Sequence, residues 1–130
     1  MILSVCPNPS IDTYAWLNKI DPGKINRIEK LKQYPGGKGV HVAMAIAELG
    51  TDSNLFGNWG GVTGTWIKNA CLQKGLKISG INLDENNRQC YTFRSLNSDF
   101  NHTELLEPGP EMNTNSWKEF LNSFEIENSR

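Results

Sequence analysis

Apolar and polar positions alternate along this chain in two rhythms, one suited to strands and one to helices. Ile2 to Cys6 is a short β-compatible run that Pro7-Asn8-Pro9 stops. A strand that opens a chain and ends in such a turn suits the centre of an α/β sheet. Two extended segments are predicted next, Ile11 to Leu17 and Ile25 to Leu31, with turn chemistry at Asp21-Pro22-Gly23 between them. Pro35-Gly36-Gly37 breaks the chain again, and the spacing predicts a helix from Gly37 to Leu49. Val42, Ile46 and Leu49 form one apolar row there and Ala43 and Ala47 another, the wide stripe of a helix packed on a sheet. Gly50 suits the C-terminal cap of that helix.

Asp52 to Gly57 reads as a strand, Thr63 to Lys74 as a helix closed by Gly75, and Lys77 to Leu83 as a further strand. Arg88 to Leu96 and His102 to Leu106 read as another strand pair across the polar turn Asn97 to Asn101. The last helix is predicted over Asn115 to Ile126, with Trp117, Phe120, Leu121 and Phe124 at i, i+3, i+4 and i+7. Strands alternating with helices predict an α/β fold with a mostly parallel sheet. The two polar strand pairs predict a small separate β layer.

At 130 residues the chain is long enough for one core and not for two. A formal net charge of −1 supplies no field to recruit nucleic acid or an acidic membrane. No run approaches the roughly 18 apolar residues of a membrane span, and the N-terminus lacks a signal peptide's basic start, so a cytoplasmic location is expected. Cys6, Cys71 and Cys90 are odd in number and widely spaced, which predicts neither a disulfide framework nor a zinc site.

Charge is uneven. Lys19, Lys24, Arg27, Lys30, Lys32 and Lys38 face only Asp21 and Glu29 in the stretch that leads into the first glycine turn. That turn, Gly36-Gly37-Lys38-Gly39, is the most specific local signal. Glycines admit a ligand close to the backbone, and free N–H groups at a helix start favour anions and polarised hydroxyls. Lys38 runs against the helix dipole, which prefers acidic residues in the first turn. Lys38 and His41 are three apart and share a helix face.

The turn is not a Walker A loop, since Gly39 stands where Ser or Thr is required, and no GxGxxG follows the first strand. Asp12 falls near the carboxyl end of that strand, where open α/β sheets bind ligands, and its carboxylate suits sugar hydroxyls. Arg88 and Arg94 each have the fork geometry that pairs with phosphate. Gly57, Gly60, Gly61 and Gly64 mark a second strand-to-helix turn, and His102 has no partners at metal-ligand spacing.

Three stretches, Val5-Cys6-Pro7-Asn8-Pro9-Ser10-Ile11-Asp12, Asn26-Arg27 and Pro35 through Ala43, resemble the N-terminal half of PfkB-type, ribokinase-like sugar kinases. Gly57 through Gly64, Asn87-Arg88 and Thr103 through Pro110 continue the match in register. Within the family the hexose-phosphate branch, 1-phosphofructokinase and tagatose-6-phosphate kinase, is the most similar. The resemblance implies a mostly parallel sheet flanked by helices with a small β lid, the lid drawn from about 10–34 and 86–106 of one domain over 1–130. It implies transfer of the ATP γ-phosphoryl to a hydroxyl of a sugar phosphate, with Mg²⁺ neutralising charge. The acceptor would be fructose 1-phosphate, tagatose 6-phosphate or fructose 6-phosphate. By position, Asp12 would bind sugar hydroxyls and Gly36 and Gly37 would present N–H groups to the sugar. Lys38, Arg27 and Arg88, with Lys24 beside them, would hold the phosphate.

The chain departs from the family pattern in two ways. His41 stands where the motif usually has Asn; its imidazole still donates or accepts but is bulkier, and the departure implies either an altered sugar fit or lost activity. The family's GxGD motif, source of the catalytic aspartate, belongs to a later half, and nothing like it follows Gly64. The expectation is therefore a sugar-binding half that binds neither ATP nor Mg²⁺ by itself. The alternative is a non-catalytic sugar-phosphate-binding or split-protein module that joins a C-terminal half or associates with a second copy through the lid.

Overall fold

The structure, a computed structural model, describes residues 1–130. In chain order its elements are β1 (Ile2–Cys6), β2 (Ser10–Trp16), β3 (Lys30–Gly36), α1 (Lys38–Glu48), β4 (Ser53–Gly60), α2 (Gly61–Gln73), β5 (Lys77–Leu83), β6 (Arg88–Arg94), β7 (Thr103–Leu106) and α3 (Thr114–Asn128). Two sheets result. One is all parallel in the order β1-β4-β5; the other has the order β3-β2-β6-β7, with only its central β2–β6 pair parallel.

β4 organises the first sheet, because every one of its eight residues is buried. Its alternation sends Leu55 and Trp59 to one face and Phe56 to the other. Leu55 and Trp59 meet Val40 and Ala43 of α1 and Ile67 and Cys71 of α2. On the opposite face Phe56 packs edge-on against Phe120 and Phe124 of α3, with ring centroids 5.0 and 5.8 Å apart. Asn113 starts α3 by accepting a hydrogen bond from the Ser116 N–H at 2.9 Å. No helix is long and apolar enough to cross a membrane.

Buried amides join the two sheets at the carboxyl ends of the parallel strands. Asn87, just ahead of β6, accepts from the Gly60 N–H at 2.8 Å and donates to the Asn58 carbonyl at 2.9 Å. Asn58 in turn donates to the Pro7 carbonyl at 2.7 Å. These bonds hold the β1–β2 turn, the end of β4 and the start of β6 in one place. Removing one partner would leave a buried group unpaired at a cost of about 1–3 kcal/mol.

Three expectations need correction. The row Val42, Ile46 and Leu49 does not face the sheet: Val42 and Leu49 are exposed, and α1 packs through Val40 and Ala43, with Met44 and Ala47 beside them. The second extended segment is not 25–31 but β3, which begins at Lys30. Asn26 is the reason: its side chain accepts from the Asp21 N–H and donates to the carbonyls of Asp21 and Lys24, holding 21–26 in a local loop. Pairing with β2 starts only at Glu29, whose N–H reaches the Trp16 carbonyl at 2.8 Å. The first strand is also not central here: β1 pairs with β4 alone, and its Ile2 and Val5 are 47% and 38% exposed.

All three cysteines are buried free thiols. Burial pushes the Cys71 thiol up to about 11, and the neighbouring Cys6 adds to the rise. A thiol raised in the folded state contributes stability below its ordinary value of 9.0 and loses that contribution as pH climbs through about 11. Urea unfolding at pH 8 and pH 11 tests this. Cys71→Ala is expected to lose about 2 kcal/mol less stability over that interval than the parent; an equal loss in both proteins would show that Cys71 ionisation plays no part.

Candidate functional site

Pro7-Asn8-Pro9 turns the chain out of the first sheet and into β2, so Asp12 stands just beyond the carboxyl end of β1. Its carboxylate is half-buried and held from two sides. The Ser10 hydroxyl donates to Asp12 Oδ1 at 2.7 Å, and His41 Nε2 lies 3.7 Å from Asp12 Oδ2. The second contact is an ion pair when the imidazole is protonated.

Gly36 sits across the β2–β3 ladder from Ser10, and Tyr34 from Asp12. A β-carbon at Gly36 would fall on the Asp12 carboxylate itself. What Gly36 visibly supplies is space. Gly37 follows with φ +108, a conformation that side chains disfavour, and caps α1. A β-carbon there would also lie 2.7 Å from Cys6 Sγ.

The first helical bond runs from the His41 N–H to the Gly37 carbonyl at 3.0 Å, so the N–H groups of Lys38, Gly39 and Val40 lack helical acceptors. No side chain caps them, and no acidic residue stands in the first turn. Those of Gly39 and Val40 neighbour the Cys6 sulfur. There, burial raises the thiol pKa, while these amides, that of Asn8 and the Arg88 charge pull it part of the way back. The amides open to an incoming group are therefore at the very start of the helix, beside the exposed Lys38.

Asp12 and His41 border a groove of about 430 Å³ completed by Tyr14, Trp16, Tyr34, Pro35, Met44 and Arg94. Tyr14 stacks on Trp16 at 6.1 Å and meets Tyr34 edge-on at 5.9 Å, giving the groove an aromatic wall. A carboxylate beside an aromatic wall is what a polyhydroxylated ring requires: acceptors for hydroxyls and a flat surface for C–H groups.

Not every candidate residue gathers here. Arg88 donates its Nε to the Asn8 carbonyl at 3.2 Å and lines a separate cleft of about 350 Å³ between Glu85–Gln89 and Glu107–Pro110. Lys24 and Arg27 are exposed in the loop from 17 to 29 and border neither space. Sequence reasoning missed Tyr14, Trp16, Tyr34 and Met44. The signal for the first two was present, since residues 12, 14 and 16 of a strand share one face.

The fold and the sequence have known counterparts. The model of the pfkB family of carbohydrate kinases matches residues 8–129. A Staphylococcus aureus protein provisionally described as a phosphofructokinase is 27% identical over 98% of this chain, with a TM-score of 0.85. Phosphofructokinase-2 from Escherichia coli, solved with substrates and products, is 22% identical over 96% with a TM-score of 0.88. A Thermotoga maritima protein provisionally described as a 1-phosphofructokinase is 23% identical over 98% with a TM-score of 0.85. The chain spans 40%, 40% and 41% of the lengths of these three. Residues 8–129, with the mostly parallel α/β sheet and the glycine turn before α1, belong to the pfkB family of carbohydrate kinases.

Proposed function

We propose that the groove between β2, β3 and the start of α1 binds a phosphorylated ketohexose, as the sugar side of a carbohydrate kinase. The observation that carries this reading is the Asp12 carboxylate, fixed by Ser10 and flanked by His41, on the edge of an aromatic-walled groove. Asp12 accepts hydrogen bonds from sugar hydroxyls. Gly36 gives the carboxylate its room, and Gly37 and Lys38 offer N–H groups beside it. Lys38, Arg88, Arg27 and Lys24 are the cations assigned to the phosphate; Lys38 stands exposed at the start of α1, Arg88 lines the neighbouring cleft, and Lys24 and Arg27 lie in the exposed loop. Fructose 1-phosphate, fructose 6-phosphate and tagatose 6-phosphate all fit this chemistry. His41, where the family motif has Asn, can donate or accept toward the same sugar.

In the complete kinases, ATP supplies the phosphoryl group and Mg²⁺ screens its charge. The role proposed for residues 1–130 is binding and orientation of the acceptor. A second reading, a binding module completed by a complementary chain, is favoured by the unpaired outer edge of β1. Assay with and without a candidate second chain separates the two, since turnover only on mixing supports the module.

Calorimetric titration with fructose 6-phosphate tests the site. Lys38→Ala is expected to weaken binding by about 1–3 kcal/mol, the range for losing a charge-assisted hydrogen bond; an unchanged affinity removes Lys38 from the site. Gly36→Ala makes a sharper test. The added methyl displaces the Asp12 carboxylate, so binding is expected to disappear while stability falls by about 1–3 kcal/mol. Retained affinity in a folded Gly36→Ala protein would mean that Asp12 does not touch the sugar.

A further inference from the structure

Imidazole is the side chain whose charge changes between about pH 5 and 8, and the groove holds one, His41. It stands against the carboxylate that the sugar needs. His41 Nε2 lies 3.7 Å from Asp12 Oδ2, while Asp12 Oδ1 already accepts the Ser10 hydroxyl at 2.7 Å. Both carboxylate oxygens therefore have a protein neighbour before any sugar arrives. The His41 side chain is 56% exposed and that of Asp12 26%, so the imidazole is the partner with room to move.

A neutral imidazole carries one N–H and one lone pair, whereas imidazolium donates from both nitrogens. Protonated His41 thus always offers Asp12 Oδ2 a charged donor, and the resulting bond ties α1 to β2 at the edge of the groove. Asp12 is the only acidic residue bordering that groove. The other groups around the imidazole are cations or weak acids. Arg94 of β6 borders the groove, Lys32 of β3 is in register with Tyr14, and Lys38 stands one turn back on α1. Tyr14, Tyr34 and Cys90, the last in register with Asp12, complete the titratable set, and Glu48 lies two turns farther along α1. An imidazolium at 41 and a sugar in the groove consequently share one anion.

We propose that His41 gates the groove by its proton: the imidazolium closes on Asp12 and competes with sugar hydroxyls, and the neutral imidazole releases the carboxylate. Sugar binding therefore strengthens as pH rises through the range in which imidazole loses its charge. This rests on the sugar-binding reading of the groove and adds its regulation. An asparagine at this position has no proton to gain, so the gate belongs to the histidine.

The test uses the full chain with fructose as probe, because a phosphate monoester itself titrates near about pH 6 and would attract the imidazolium. NMR titration is expected to show fructose bound about two- to fivefold more weakly at pH 5.5 than at pH 8, the scale of a partly exposed ion pair. In His41→Asn the two affinities are expected to be equal, and His41→Gln serves the same purpose should that variant fold poorly. Both variants keep His102, the chain's other histidine, which lies 3.6 Å from Glu104 and outside the groove. A second readout needs no ligand: the ¹³C signal of the Asp12 carboxyl should move between pH 5.5 and 8 in the parent and lose that movement in His41→Asn. An Asp12 signal indifferent to His41, equal fructose affinities in the parent at both pH values, or the same pH dependence in the variants would overturn the gate. So would a parent that binds fructose 6-phosphate but not fructose at either pH, although the sugar-phosphate site would then stand. A parent that binds neither sugar removes both readings.

Discussion

The site depends on one steric fact: the Asp12 carboxylate occupies the volume that a side chain at residue 36 would fill. Because Gly36 leaves that volume empty, β2 and β3 pair with Asp12 lying over the glycine, and the next residue turns the chain into α1. His41, one turn into that helix, then comes within 3.7 Å of the carboxylate. Ser10, Asp12, Gly36 and His41 lie far apart in sequence by pairs, yet one vacancy sets their relation. A larger residue at 36 would separate the carboxylate from the helix start and open the groove.

The frame around this contact is polar as well as apolar. Phe56, Leu55 and Trp59 fix β4 between two layers of helix. Asn58 and Asn87 then fasten the ends of β4, β1 and β6 where the second sheet departs from the first. Ligand sites in open α/β sheets form beyond the carboxyl ends of the strands, and here those ends are held by hydrogen bonds that each have one specific partner. The groove therefore inherits its position from the core without being part of it.

Much of this was legible in the sequence. β1 declared itself by an apolar run against two prolines and α3 by aromatic spacing that does place Phe120 and Phe124 on Phe56. The span of α1 was legible too, but only its Ala43–Ala47 row meets the core, while Val42 and Leu49 face outward. The glycine turn and Asp12 were legible as chemistry before any geometry. β3 was not, because Asn26 bonds the backbone of its own loop, and no periodicity registers a side chain that competes with a ladder. The aromatic wall was hidden for another reason. Tyr14 and Trp16 alternate with buried residues on β2, and which face of such a strand meets a helix is decided by partners distant in sequence. The same limit made Arg88 and Arg94 indistinguishable by type. They share a face of β6 but stand at opposite ends of it, so Arg94 borders the groove and Arg88 a different cleft.

Amide chemical-shift mapping on ¹⁵N-labelled protein tests the central assignment most directly. Titration with fructose 6-phosphate should produce saturable shifts concentrated on Asp12, Gly37, Lys38 and His41. Shifts confined to Glu85–Gln89 and Glu107–Pro110, or none at saturating ligand, would contradict it.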